Sequence, residues 1–240
     1  MPIVATRNAL SQTFHQRCFY LFIALVTMLL FLPVFEQLPL GQLLISILNI
    51  FILLAAVSAF GHTVTSFIAA LCLAGPSLCL QIMYMLEPRD IILVWARACN
   101  AGFYGITIAY LMHYVLRRDV MTTDKLYGAA SAFLLLGILW ALFYLMLLHH
   151  NPGAISSPDG TKPSALDMIY FSFTTLTTTG FGDFLPHTSA ARIITVLEQI
   201  TGTLFLAILI ARLAGMYPTE IRPHRQTASP AQLMDRIDDA

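Results

Sequence analysis

Hydrophobic residues run along this chain in long blocks. Cys18–Phe35, Leu43–Phe60, Phe67–Leu86 and Leu126–Leu148 contain no charged residue, Ile91–Leu116 holds only Arg97, and Ala191–Leu213 holds Arg192, Glu198 and Arg212. A helix needs about 20 apolar residues to cross a bilayer, so the six blocks predict six transmembrane helices in an all-α membrane protein. The separators read as turns: Glu36-Gln37-Leu38-Pro39, Gly61-His62, Glu87-Pro88-Arg89-Asp90 and Asp119–Lys125. Gly75-Pro76 falls inside the third block and predicts a kink there. The first block is long, lacks a small-residue cleavage site and precedes five more blocks, which makes it a retained helix and not a signal peptide.

Composition agrees. Of the 240 residues 58% are hydrophobic and 11% charged, against roughly 25% charged in soluble domains. The lipid bilayer is therefore the expected surrounding, and a net charge of zero gives no electrostatic case for nucleic acid. Cys18, Cys72, Cys79 and Cys99 lie in or beside apolar blocks with no C-x-x-C pair, so they read as packing residues. With a cytoplasmic N-terminus, Arg7, Arg17, Arg117, Arg118, Lys125, Arg212, Arg222, Arg225 and Arg236 all fall inside, and only Arg89, Lys162 and Arg192 fall outside. The positive-inside rule then expects both termini in the cytoplasm.

The stretch His149–Thr188 breaks the rhythm. A turn-rich loop, Asn151–Pro163, leads into Ser164-Ala165-Leu166-Asp167, which fits a capping box and predicts a helix start. The helix has room for only about ten residues before Thr177-Thr178-Thr179-Gly180-Phe181-Gly182-Asp183, too few to cross a bilayer. Such a segment is tolerated at membrane depth only where it lines a water-filled path within protein. Alternating glycines permit backbone angles that other residues resist. Carbonyls pointing inward from four chains would form stacked rings able to replace the water of a potassium ion, with the Thr178 hydroxyl adding a ring at the inner end. The C-terminal, negative end of the short helix also favours a cation.

Tyr170–Pro186 resembles the pore loop of the potassium channel superfamily, and Leu126–Tyr217, about 40% of the chain, resembles its helix–pore loop–helix module. Leu197–Leu213 resembles the inner helix of small bacterial members. The resemblance implies a homotetramer around a central pore, a re-entrant pore helix, passage of K+ as the permeant ion, no cofactor, no other metal, no catalysis, and residence in a bacterial inner membrane. Ion binding is expected at Thr178, Thr179, Gly180, Phe181 and Gly182, with support from Tyr170, Thr174, Thr177, Asp183 and Glu198. Tyr170 is expected to reach back toward Asp183. Two positions depart from the usual pattern: Phe181 replaces tyrosine, and Thr179 replaces valine or isoleucine and puts a hydroxyl behind the filter that needs a partner.

The expected organisation is a cytoplasmic segment 1–17, a four-helix transmembrane domain 18–119, a pore domain 120–217 and a cytoplasmic tail 218–240, with a short helix at Ala231–Ile237. A voltage sensor needs several cations on one helix, because each charge moved yields about 2.3 kcal/mol per 100 mV. The fourth block has Arg97 alone, so steep voltage gating is not expected. Arg97 reads either as an arginine snorkelling to the outer interface or as a sensor or ligand contact. In the last block Gln199, Thr203, Leu206 and Ile210 fall on one helical stripe and are the expected cavity and gate lining. Gly202 is either a hinge or a site of close packing. Glu198 points about 100° from that stripe, toward the hydroxyls of Ser172, Thr174, Thr175 and Thr177, and is expected to brace the filter from behind; the rival reading is a charged ring in the cavity. His149, His150 and His187 near the outer mouth are candidates for proton sensitivity, or plain interface polarity. A weakly selective cation channel and a nonconducting accessory subunit are the alternative functions. An intramembrane enzyme is excluded, because no nucleophile is set beside a base.

Overall fold

The computed structural model describes residues 17–36, 38, 41–59, 64–117 and 122–214. The tail, with the helix expected at Ala231–Ile237, lies outside the described residues. Seven helices are described: α1 (Arg17–Glu36), α2 (Gly41–Ala59), α3 (Val64–Leu86), α4 (Asp90–Leu116), α5 (Thr123–His150), α6 (Ala165–Leu176) and α7 (Ser189–Ala214). The two-residue strands β1 (Ile155–Ser156) and β2 (Leu185–Pro186) pair antiparallel. Among the described residues α1, α4, α5 and α7 are long and apolar enough to cross a membrane. Helix α3 continues through Pro76, and α1 through Pro33.

Local chemistry sets the boundaries. Helix α5 begins before its apolar block because the Thr122 side chain accepts from the Lys125 amide, satisfying one of the free donors of a helix start. Helix α7 starts early for the same reason, with Thr188 Oγ1 accepting from the Ala191 amide at 3.2 Å. The capping box of α6 is closed on both sides. Ser164 N donates to Asp167 Oδ2 at 2.8 Å, and Asp167 N donates to Ser164 Oγ at 3.2 Å.

Helix α5 is the hub. It packs against α1, α4, α6 and α7. Half of its best apolar window is buried, against 17% for α7. One core joins Leu21, Leu25, Ile52, Leu53, Phe103, Leu135 and Phe205. A second, at one end of the molecule, gathers Tyr144, Leu148, Ile155, Met168, Phe171 and Phe184. At the other end Asp124 ties three helix ends together: its Oδ1 accepts from the Cys18 amide at 3.0 Å and its Oδ2 from the Tyr114 hydroxyl at 3.1 Å. Helix α6, of 12 residues, is about 18 Å long and lies against both α5 and α7.

Candidate functional site

The segment 177–183 leaves the C-terminus of α6 through a turn at 177–178 into irregular chain, and every residue in it is exposed on the single subunit. Thr178, Gly180 and Gly182 have φ of 58°, 53° and 81°. Positive φ therefore alternates with negative φ at Thr179 and Phe181. Alternation of left-handed with right-handed backbone is the pattern that gathers successive N–H groups on one side of a chain. The glycines adopt such angles freely, whereas at Thr178 the conformation is strained and the surroundings must hold it.

What holds it is the end of α6. The Thr177 amide donates to the Phe173 carbonyl at 3.1 Å and the Thr178 amide to the Thr175 carbonyl at 2.9 Å. The amides of Thr179 and Gly180 share the Thr174 carbonyl, at 2.8 and 3.1 Å. Four consecutive N–H groups are thus drawn back onto the helix. The hydroxyl of Thr179 has a partner: it lies 2.9 Å from that of Thr177, which also donates to the Phe173 carbonyl at 2.7 Å.

Aromatic rings and β1–β2 fix the outer end. The Tyr170 ring stacks on that of Phe181, with centroids 6.2 Å apart and 5° between the planes. Asp183 Oδ1 accepts from the Phe184 amide at 3.0 Å, and Phe184 is buried against Phe171. The strand pair sets Ile155 opposite Pro186, and the His187 amide donates to the Ala154 carbonyl at 2.9 Å.

Behind the segment lies a buried polar group. Glu198 is fully buried. Its Oε1 is 2.5 Å from Ser172 Oγ, and its Oε2 accepts from the Tyr144 hydroxyl at 2.5 Å. Ser172 Oγ is also 2.7 Å from the Gly137 carbonyl oxygen. The carboxyl thus joins α5, α6 and α7. Of the α6 hydroxyls named from the sequence, Ser172 alone is bonded to it; Thr174 Oγ1 donates instead to the Phe171 carbonyl at 3.0 Å. Tyr144 and Gly137 were missed by the sequence reading. Tyr144 carried one signal, a polar-tipped ring within an apolar block.

Gly202 packs where no side chain fits: a Cβ there would stand 2.2 Å from the Leu176 carbonyl oxygen. Gln199, Thr203, Leu206 and Ile210 are exposed, on the side of α7 away from buried Glu198, Gly202 and Phe205. His149, His150 and His187 are exposed, and His187 contributes its backbone amide alone, to the Ala154 carbonyl.

A family model described as an ion channel matches residues 131–217. The potassium channel protein kcv of Paramecium bursaria Chlorella virus 1 is 38% identical over 64 residues, which cover 24% of this chain and 67% of that protein. The voltage-gated potassium channel Kch of Escherichia coli is 28% identical over 119 residues, 48% of this chain and 26% of that protein. A voltage-gated potassium channel of Aeropyrum pernix is 25% identical over 120 residues, 50% of this chain and 38% of that protein. The match therefore spans about a quarter of the length of the Escherichia coli relative. No solved structure matches the chain. A pore-type domain built on apolar helices defines a membrane channel protein and not an enzyme. The chain belongs to the potassium channel superfamily and carries its pore module.

Proposed function

We propose that four copies of this chain assemble around an axis and conduct K+ passively across a membrane, probing the ion with the carbonyls of Thr178, Thr179, Gly180 and Phe181 and the Thr178 hydroxyl. The observation that carries this reading is the alternation of left-handed residues at 178, 180 and 182 while the amides of 177–180 are bonded to α6. Carbonyls freed in this way suit a desolvated cation. On one subunit this segment is exposed, as are Ile193, Leu197, Ile200 and Leu204 of α7. Symmetry-related copies would cover both.

In this reading six helices span the membrane, α6 is re-entrant, and both termini are cytoplasmic. Gly182 shapes the outer end and Asp183 concentrates cations there. The stripe Gln199, Thr203, Leu206 and Ile210 lines the cavity, and K+ needs no cofactor. Arg97, the one charge within α4 beyond its first turn, gives too little gating charge for steep voltage dependence. The test is ion flux through the purified chain in lipid vesicles, with a K+ gradient against a Na+ gradient. Selective K+ flux supports the reading. Equal flux assigns a weakly selective cation pore of the same fold, and no flux from intact tetramers assigns an accessory subunit.

A further inference from the structure

Between α1–α4 and the pore module lies a cavity of about 250 Å³. One wall is polar. Arg97, Asn49, Gln81 and Tyr84 line it. Asn49 and Gln81 are locked together by an Nδ2–Oε1 hydrogen bond of 2.6 Å, and the Tyr104 hydroxyl donates to Asn49 Oδ1. The opposite wall is apolar, formed by Leu142 and Leu145 of α5 and by Leu166 and Ile169 of α6.

Among the described residues the lining holds a guanidinium and no carboxylate. The ion pair found among the described residues is Arg89 with Glu87, at 2.7 Å and well exposed, so Arg97 has no acidic partner among them. A half-buried cation inside an apolar bundle is costly and calls for an anion. Arg97 shares that wall with the amides of Asn49, Gln81 and Asn100 and the phenols of Tyr84 and Tyr104. The volume lies just below the range of about 300–1,000 Å³ usual for small-molecule sites. It takes an anionic head and a short length of one hydrocarbon chain.

We propose that this cavity binds an amphiphile with an oxyanion head, the oxyanion paired with Arg97 and the acyl chain laid against Leu142, Leu145 and Ile169. Because α6 carries the conducting loop at its far end, the occupant touches the same short helix from its N-terminal half. The site stands independently of what the pore conducts.

The oxyanion has two plausible sources, a free fatty acid and a phospholipid, and photolabelling separates them. The full chain in phosphatidylcholine vesicles is exposed to a fatty acid with a diazirine on its chain, to the methyl ester of that acid, and to a diazirine-bearing phosphatidylglycerol. The acid is expected to label peptides containing Leu142, Leu145 or Ile169. Arg97→Gln should cut this labelling by about tenfold or more, as for loss of a desolvated charge partner, while Arg97→Lys keeps most of it. Labelling by phosphatidylglycerol with the same Arg97 dependence supports the site and names the lipid as its source. Equal labelling by the neutral ester on the unaltered chain overturns the proposal whether or not the variants fold. Labelling confined to other faces also overturns it. No step requires conduction, so a silent pore and an empty cavity give different results.

Discussion

Glu198 and Ser172 meet at 2.5 Å inside the protein, joining the middle of α7 to the back of α6. Ser172 has one hydroxyl hydrogen and two oxygen neighbours, Glu198 Oε1 and the Gly137 carbonyl. A neutral carboxyl, bringing its own hydrogen, lets all three oxygens pair. Glutamine can do the same through its amide. Glu198→Gln is therefore expected to keep tetramer stability and K+ flux. Glu198→Ala removes the carboxyl, while Ser172 keeps the Gly137 carbonyl and Tyr144 keeps only Thr195 Oγ1 at 3.4 Å; a loss of about 1–3 kcal/mol is expected, and both stability and flux should fall. Melting of the tetramer and vesicle flux would check this. Equal loss of flux in Gln and Ala, with stability intact, would instead place a charged ring in the cavity.

Gly202→Ala is expected to be worse than Gly137→Ala. The new Cβ at 202 meets a backbone carbonyl at 2.2 Å, whereas at 137 it meets the Phe173 ring at 2.7 Å. A ring can shift; the Leu176 carbonyl is at the root of the loop. Overpacking costs about 1–3 kcal/mol, and the 202 variant should reach the upper end and lose flux with stability. A Gly202→Ala channel of normal stability and altered open time would establish a hinge.

Thr179→Val should retain K+ over Na+ selectivity. The lost bond to Thr177 lies on an exposed segment, and Thr177 keeps the Phe173 carbonyl at 2.7 Å. A net cost within about 0.5–1.5 kcal/mol is expected. Reversal potentials under mixed K+ and Na+ are the measurement, and a collapse of selectivity would show that the hydroxyl pair holds the carbonyls in place.

Single cysteines along Gln199–Arg212 should react with a water-soluble thiol reagent at 199, 203, 206 and 210. Position 205 should be silent, because Phe205 is buried. Reactivity on another face would reject the stripe.

Conductance should vary only weakly with voltage, and Arg97→Gln should leave that slope unchanged. One charge moved through the whole field yields about 2.3 kcal/mol per 100 mV. A steep curve abolished by Arg97→Gln would make α4 a sensor.

The helices were legible because apolar blocks and caps are local signals: Ser164 and Asp167 announced α6 directly. The loop motif was legible because Gly180 and Gly182 mark positions that need positive φ. Thr178 shares that conformation without being a glycine, so no local rule signalled it. The Glu198–Ser172 pair could be approached from helical spacing, but Tyr144 could not, since its role depends on how α5 crosses α7. Gly137 against Phe173 is likewise a contact between distant elements. The chamber beside Arg97 was invisible for the same reason: its polar wall draws Asn49, Gln81 and Arg97 from three different helices.

The exposure of residues 177–183 on the lone subunit carries a genetic consequence. If four chains share one row of carbonyls, a single faulty copy spoils the whole row. A Gly180→Ala chain, able to fold its helices but strained at the φ of 53° there, should act dominantly. Made in equal amounts with the normal chain and mixed at random in four-fold rings, it would leave about one assembly in sixteen free of the altered subunit. Co-expression titration of flux would then count the subunits without any image of the complex.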